Sequence, residues 1–139
     1  MQTEVLFSSK TGEWETPQDF FDALNEEFHF DLDAAATYEN KKCSKYLTDA
    51  FAVFWGDHGG SVWCNPPYGR GLGRWFEKAR EASRWATVVM LVPARTDTKW
   101  FHEHVWKVAS EVRFIKGRLK FSGQPNSAPF PSMLVIYRP

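Results

Sequence analysis

The sequence predicts an α/β domain with a mainly parallel sheet and an antiparallel hairpin at its C-terminal end. Three observations carry that prediction. Strand-like segments alternate with segments of helical spacing, the order expected of strands joined by helical crossovers. Residues 87–93, ThrValValMetLeuValPro, are a continuous apolar run closed by proline, as in a strand covered on both faces. Glu111–Ile115 and Lys116–Phe121 then read as a strand pair around Gly117, with Met133–Tyr137 as a closing strand.

Thr16-Pro17 is a helix start, with threonine as N-cap and proline at the first helical position. Phe20, Phe21, Leu24 and Phe28 continue it as one apolar stripe to about residue 28. Residues 28–34 alternate as a strand does, which puts Phe28, Phe30 and Leu32 on one side. From 37 to 60 the chain is polar, irregular and turn-rich, ending at Gly59-Gly60. Ser61–Cys64 is a short buried strand, and Asn65-Pro66-Pro67-Tyr68 stops it because two prolines cannot continue a central ladder. Gly69, Gly71 and Gly73 predict a mobile loop, followed by a helix from about Arg74 to Arg84; Thr98–Ala109 reads as the next helix. Ligands of such sheets bind beyond the carboxyl ends of the strands, and Asp33, Asn65 and Arg95 all stand just past expected strands.

With 139 residues, 43% hydrophobic and 24% charged, the chain is read as one domain over 1–139, with 1–13 as a flexible lead. Seventeen basic residues balance seventeen acidic ones, which excludes a uniformly basic coat. The balance hides a split: residues 1–60 hold 12 acidic and 4 basic residues, residues 61–139 hold 5 and 13. Either these are two solvated faces of opposite sign, or the second includes a face that meets phosphate. No run of about 18 apolar residues marks a membrane span, and no basic-then-apolar leader pattern is visible at the start. Cys43 and Cys64 fit a reducing compartment, so a cytoplasmic protein is expected. Without a CxxC pair, and with only His102 and His104 nearby in type, they make a poor metal set; no metal is expected. Gly-x-Ser-x-Gly and Walker loops are both missing, so serine hydrolase and P-loop chemistry have no support. The seven tryptophans are spread along the chain and read mostly as core, with Trp75 and Trp100 beside expected loops.

Asn65-Pro66-Pro67-Tyr68 is the strongest chemical signal. Each proline fixes its own φ and restrains the residue before it. The Asn65 amide oxygen and the Pro66 carbonyl can thus be held as two acceptors aimed at one spot, with an aromatic ring beside them. That arrangement suits a planar ligand with an exocyclic amine; the other reading is an Asn-Pro turn that packs a tyrosine. The tetrapeptide matches the (D/N)PP(Y/F/W) motif of amino-methyltransferases that use S-adenosylmethionine. Around it stand Trp14-Glu15-Thr16-Pro17, Phe30-Asp31-Leu32-Asp33-Ala34-Ala35, Cys43 with Tyr46, Trp55-Gly56, and Val62-Trp63-Cys64. After it come 92–102, ValProAlaArgThrAspThrLysTrpPheHis, then 113–121, ArgPheIleLysGlyArgLeuLysPhe, and Ala128-Pro129 with Pro131-Ser132. Over roughly residues 14–137 the chain resembles the phage-type DNA N-6-adenine methyltransferase (Dam) family.

The resemblance implies a compact Rossmann-like methyltransferase fold that methylates adenine N6 in double-stranded DNA, with S-adenosyl-L-methionine as cofactor, in the cytoplasm of a bacterial host. It implies that Asn65 and Pro66 hold the amine, Pro67 shapes the turn and Tyr68 stacks on a base flipped from the duplex. Thr16, Pro17, Asp33, Ala34 and Ala35 are then cofactor-binding. Asp33 is the residue expected at the methionine ammonium, with Asp31 second. Asn40, Asp49 and Asp57 are candidates for the ribose, Asp49 being preferred. The chain departs from the wider superfamily in having an Ala-rich turn where Gly-x-Gly usually follows the first strand. Arg95, Thr98, Trp100, Arg118 and Lys120 are read as DNA contacts. Local readings stand beside these: Arg95 holding the catalytic loop through Asp97, Asp97 or Thr98 as a helix N-cap, with capping preferred to the Arg95 contact as the duty of Asp97, and Arg118 with Lys120 as a solvated strand face. A homodimer is expected because one small domain covers little of a duplex. RNA or protein-amide methylation, or an inactive DNA-binding module on the same fold, are the alternatives.

Overall fold

The computed structural model describes residues 14–58 and 60–139. The lead expected over 1–13 and the break expected at Gly59 lie outside them. Helices α1 (Gln18–Phe28), α2 (Leu72–Ala82) and α3 (Lys99–His104) accompany strands β1 (Leu32–Asp33), β2 (Ser61–Cys64), β3 (Thr87–Pro93), β4 (Glu111–Phe114) and β5 (Ser132–Tyr137). One sheet runs in the order β1-β2-β3-β5-β4. The first three strands are parallel, and β5 is antiparallel to both β3 and β4. The fold is mixed α/β as expected. Among the described residues no helix is long and apolar enough to cross a membrane.

The apolar run of β3 is buried on both faces, which explains its lack of alternation. Val88, Met90 and Val92 join Leu72, Phe76, Ala79, Phe101 and Val105 of the α2–α3 side. Val89 and Leu91 face the other way, into Trp14, Phe21, Trp63, Phe121 and Phe130. The sheet is therefore sandwiched between α2 with α3 on one face, and α1 with the 115–131 loop on the other. Arg113 of β4 reaches Glu27 of α1 through two hydrogen bonds of 2.8 and 2.7 Å, fastening the helix to the sheet edge.

Several expected details differ. Glu111–Phe114 does not pair with 116–121; it pairs with β5, Glu111 opposite Ile136 through Phe114 opposite Met133. Gly117 takes a left-handed φ of 74°, and the chain then leaves the sheet so that Phe121 can pack edge-on against Trp14 at 5.4 Å. Strand β1 is only two residues long, and Leu32 faces the cluster opposite to Phe28 and Phe30. Helix α3 stops at His104, well short of Ala109, because the backbone turns left-handed at Lys107 (φ 63°). The Tyr137 hydroxyl donates to the freed His104 carbonyl, satisfying that helix end. Helix α2 begins at Leu72, earlier than expected, since Leu72 is buried with Phe76 in the core. Trp85 and Trp106 are the exposed tryptophans, at 60% and 56%, while Trp75 and Trp100 pack against the core.

Thr16 is not the N-cap of α1. Pro17 stands at that position with no side-chain cap, and the Thr16 hydroxyl is used elsewhere.

Candidate active site

The β2 strand delivers Asn65 to its carboxyl end, and the two prolines turn the chain away. Asn65 Nδ2 donates to the Trp14 carbonyl and to Thr16 Oγ1, the latter at 2.9 Å. A carbonyl can only accept, so the Trp14 partner settles which end of the amide is nitrogen. Asn65 Oδ1 accepts from the Tyr68 hydroxyl at 2.9 Å. The same hydroxyl lies 3.1 Å from the Leu91 carbonyl, and burial raises its pKa well above the usual phenol range, so it remains a donor. Asn65 Oδ1 keeps a second lone pair. Among the described residues the Pro66 carbonyl accepts no hydrogen bond. Two acceptors are therefore left for a ligand in a turn of fixed shape.

The 14–16 segment that orients Asn65 is itself held. Ser122 donates from its N–H to the Glu15 carbonyl at 2.9 Å and from its hydroxyl to the Thr16 carbonyl at 3.3 Å. Trp14 packs edge-on against Phe130 at 5.2 Å, and Phe130 meets the Tyr68 ring at 5.7 Å. The 115–131 loop is thus a scaffold for the turn.

Beyond the carboxyl ends of β1 and β2 lies a cavity of about 270 Å³. Its walls include Thr16, Asp33, Ala35, Asn65 and Pro67, which the sequence singled out for binding or catalysis. Asn40, a weaker candidate, lines it as well, and so do Trp14, Glu15, Ala36, Thr37, Lys42, Thr48, Ala50, Trp63 and Trp75. Asp33 is 2% exposed. Its carboxylate accepts from the Ala35 N–H at 3.2 Å and the Lys42 N–H at 2.9 Å. Burial nevertheless outweighs those bonds and raises its pKa from 3.8 to about 6. Ala35 and Ala36 form the wall where a Gly-x-Gly turn was missing.

Other candidates are placed elsewhere. Asp31 does not enter the cavity: its carboxylate accepts from the N–H groups of Gly60 and Ser61 at 3.0 and 3.1 Å, securing the start of β2. Ala34 is buried in the core, and Pro17 starts α1 outside the lining. Asp49 is exposed and points no atom into the cavity that its neighbours Thr48 and Ala50 line. Asn40 lines the cavity, its Oδ1 accepting from the Thr37 N–H at 2.7 Å. Pro66 is buried and Tyr68 half-buried, neither on the cavity wall.

The expected DNA contacts divide. Thr98, not Asp97, caps α3, its hydroxyl accepting from the Phe101 N–H at 3.2 Å. Trp100 stacks on Phe76 at 5.0 Å and is part of the core. Arg95 is exposed, and among the described residues no ion pair joins it to Asp97. Arg118 and Lys120 are exposed although no strand forms there, while Leu119 and Phe121 face the core. Cys64 is a buried thiol whose pKa burial raises well above its usual value. Trp75 and Lys42 line the cavity without a sequence motif to mark them. Lys42 sits in a polar stretch without periodicity, and only its backbone return to Asp33 marks it.

A cavity past the carboxyl ends of parallel strands, with a buried carboxylate and a fixed amide on its walls, defines a ligand-binding α/β domain. A family model described as DNA N-6-adenine-methyltransferase (Dam) matches residues 4–139, and the chain belongs to that family. It is 36% identical over 111 residues to a DNA N-6-adenine-methyltransferase of Escherichia phage T1, a match covering 76% of this chain and 45% of that protein. It is 30% identical over 137 residues to a DNA N-6-adenine-methyltransferase of Haemophilus phage HP1 (strain HP1c1), covering 91% of this chain and 78% of that protein. The chain thus spans less than half the length of the T1 relative. No solved structure matches it significantly.

Proposed function

We propose that the chain transfers a methyl group from S-adenosylmethionine to N6 of adenine in DNA, acting as one methyltransferase domain over 1–139. The observation that carries this reading is that Asp33 and Asn65 line one cavity. The sheet order and the position of the cavity support a Rossmann-like methyltransferase fold.

The cavity suits such a cofactor. Among the described residues Asp33 has no cation within ion-pair distance, and an uncompensated buried carboxylate is costly. A ligand ammonium offsets that cost. Thr16 and Ala35 form wall beside it, and Asn40 supplies a polar group for hydroxyls. When bound, the cofactor supplies an electrophilic methyl group on a sulfonium.

The chain's own residues position the amine. Asn65 Oδ1 and the Pro66 carbonyl accept the two N6 protons of an adenine swung out of the duplex, which frees the nitrogen lone pair from the ring. Neither group is a base, so the contribution is positioning and polarisation, and the proton lost from the nitrogen passes to solvent. Tyr68 holds Asn65 through its hydroxyl, and its ring is the surface on which the base stacks. Arg118 and Lys120, exposed beside the turn's scaffold, are the phosphate contacts. The reaction belongs in a bacterial cytoplasm, and two copies on one duplex is the assembly that lets so small a domain span a site.

The test is incubation with duplex DNA and S-adenosylmethionine, followed by mass spectrometry of the nucleosides. N6-methyladenine is the expected product. Its absence despite calorimetric binding of the cofactor overturns the substrate, with RNA and protein amides as parallel substrates. Absence of cofactor binding identifies a non-enzymatic module.

A further inference from the structure

Lys42 stands on the wall of the cavity that holds Asp33. Its backbone N–H donates to Asp33 Oδ2, so the residue returns to the carboxylate nine positions along the chain. Its ammonium donates to Gln18 Oε1 at 3.0 Å, a neutral partner. Among the described residues no carboxylate lies within ion-pair distance of it. Its charge is near enough to favour the ionised Asp33 carboxylate, yet the two side chains do not touch. A wall that includes a carboxylate without a cation partner and a lysine without an anion partner suits a ligand that carries both complementary charges.

Resting on the cofactor reading above, we propose that Lys42 and Asp33 form a zwitterion subsite: Lys42 takes the α-carboxylate of S-adenosylmethionine while Asp33 takes its α-ammonium. Each ligand charge then meets an opposite charge, and the buried carboxylate acquires the cation it lacks. The polar wall of Thr37, Asn40 and Thr48 is left for the uncharged nucleoside end. The Lys42 side chain is not needed to hold Asp33 in place, because its backbone N–H makes that bond.

Calorimetric titration compares S-adenosylmethionine with its decarboxylated analogue, which keeps the ammonium and lacks the carboxylate. The wild-type protein is expected to prefer the intact cofactor by about tenfold or more, the size of a hydrogen bond between charged groups. Lys42→Met should lose about tenfold to hundredfold for the intact cofactor and little for the analogue, and Lys42→Arg should restore the preference. Equal loss for both ligands, or a wild-type protein that binds both equally, overturns the subsite and leaves the cofactor reading standing. A wild-type protein that binds neither overturns both. The wild-type comparison needs no variant, so it decides even if Lys42→Met fails to fold.

Discussion

The Thr16 hydroxyl accepts a hydrogen bond from Asn65 Nδ2 at 2.9 Å, joining residues 49 positions apart at the mouth of the turn. Together with the Trp14 carbonyl it uses both amide protons of Asn65 and leaves the oxygen as the acceptor. Thr16 is thereby a positioning residue. Thr16→Val keeps the shape and removes the acceptor, so kcat for methyl transfer should fall by about tenfold or more, with KM for DNA changed much less. Thr16→Ser should restore kcat. Equal kcat in the valine variant overturns the role.

Asn65→Asp should fail although related motifs allow aspartate at this position. Asn65→Asp sets a carboxylate oxygen against the Trp14 carbonyl, two acceptors with no proton between them. Methylation should drop by at least about tenfold, a loss of roughly 1.4 kcal/mol in transition-state positioning. Asn65→Ala should abolish methylation while sparing cofactor affinity in calorimetry. Wild-type rates in either variant refute the acceptor role.

Asp33 predicts opposite pH trends for stability and for binding. Its carboxyl titrates at about 6 in the folded chain and near 3.8 when unfolded. Between those values the folded state holds the extra proton, so this group's contribution favours folding below the window and is lost as pH rises through it. The ligand ammonium needs the anion, so cofactor affinity should be full above about pH 6 and fall by about tenfold per unit well below it. Comparing thermal melts of wild type and Asp33→Asn isolates the first trend, and a series of Kd measurements checks the second. A Kd that is flat across the window removes Asp33 from the ammonium site.

Phe76 carries the packing of the α2–α3 side. It is fully buried, stacked on Trp100 at 5.0 Å and on His104 at 5.9 Å. Phe76→Ala should cost about 3–5 kcal/mol through lost contacts and the cavity left behind. Denaturant unfolding measures this, and a loss below about 1 kcal/mol would mean that the two layers collapse onto the gap.

Arg118 and Lys120 should act through phosphate charge alone. Replacing both with alanine should weaken duplex binding and reduce the slope of log affinity against log salt by about 2. An unchanged slope places the DNA on another face.

What could be read from the sequence was local. The apolar run of β3 needs both faces covered whatever its neighbours are, and Asn65–Tyr68 ends a strand because prolines cannot extend one. Asp33 could be placed at a strand's carboxyl end, and it is the last residue of β1. Other elements depended on partners far away in the chain. The 116–121 stretch has strand alternation, yet β5 took the pairing of β4 and Trp14 took Phe121. Thr16 looked like a helix cap because threonine before proline usually is one, but an amide 49 positions on claimed its hydroxyl.

The sequence by itself determined the α/β class, the family and the turn that presents Asn65, since each rests on residue types and their order along the chain. Only the tertiary structure decided which way the Asn65 amide faces, that Asn40 and not Asp49 lines the cavity, and that the Lys42 backbone returns to Asp33. Those relations arise from where loops without periodicity return. Their course is set by the burial of Trp14, Trp63 and Phe121 and by backbone hydrogen bonds to Asp33.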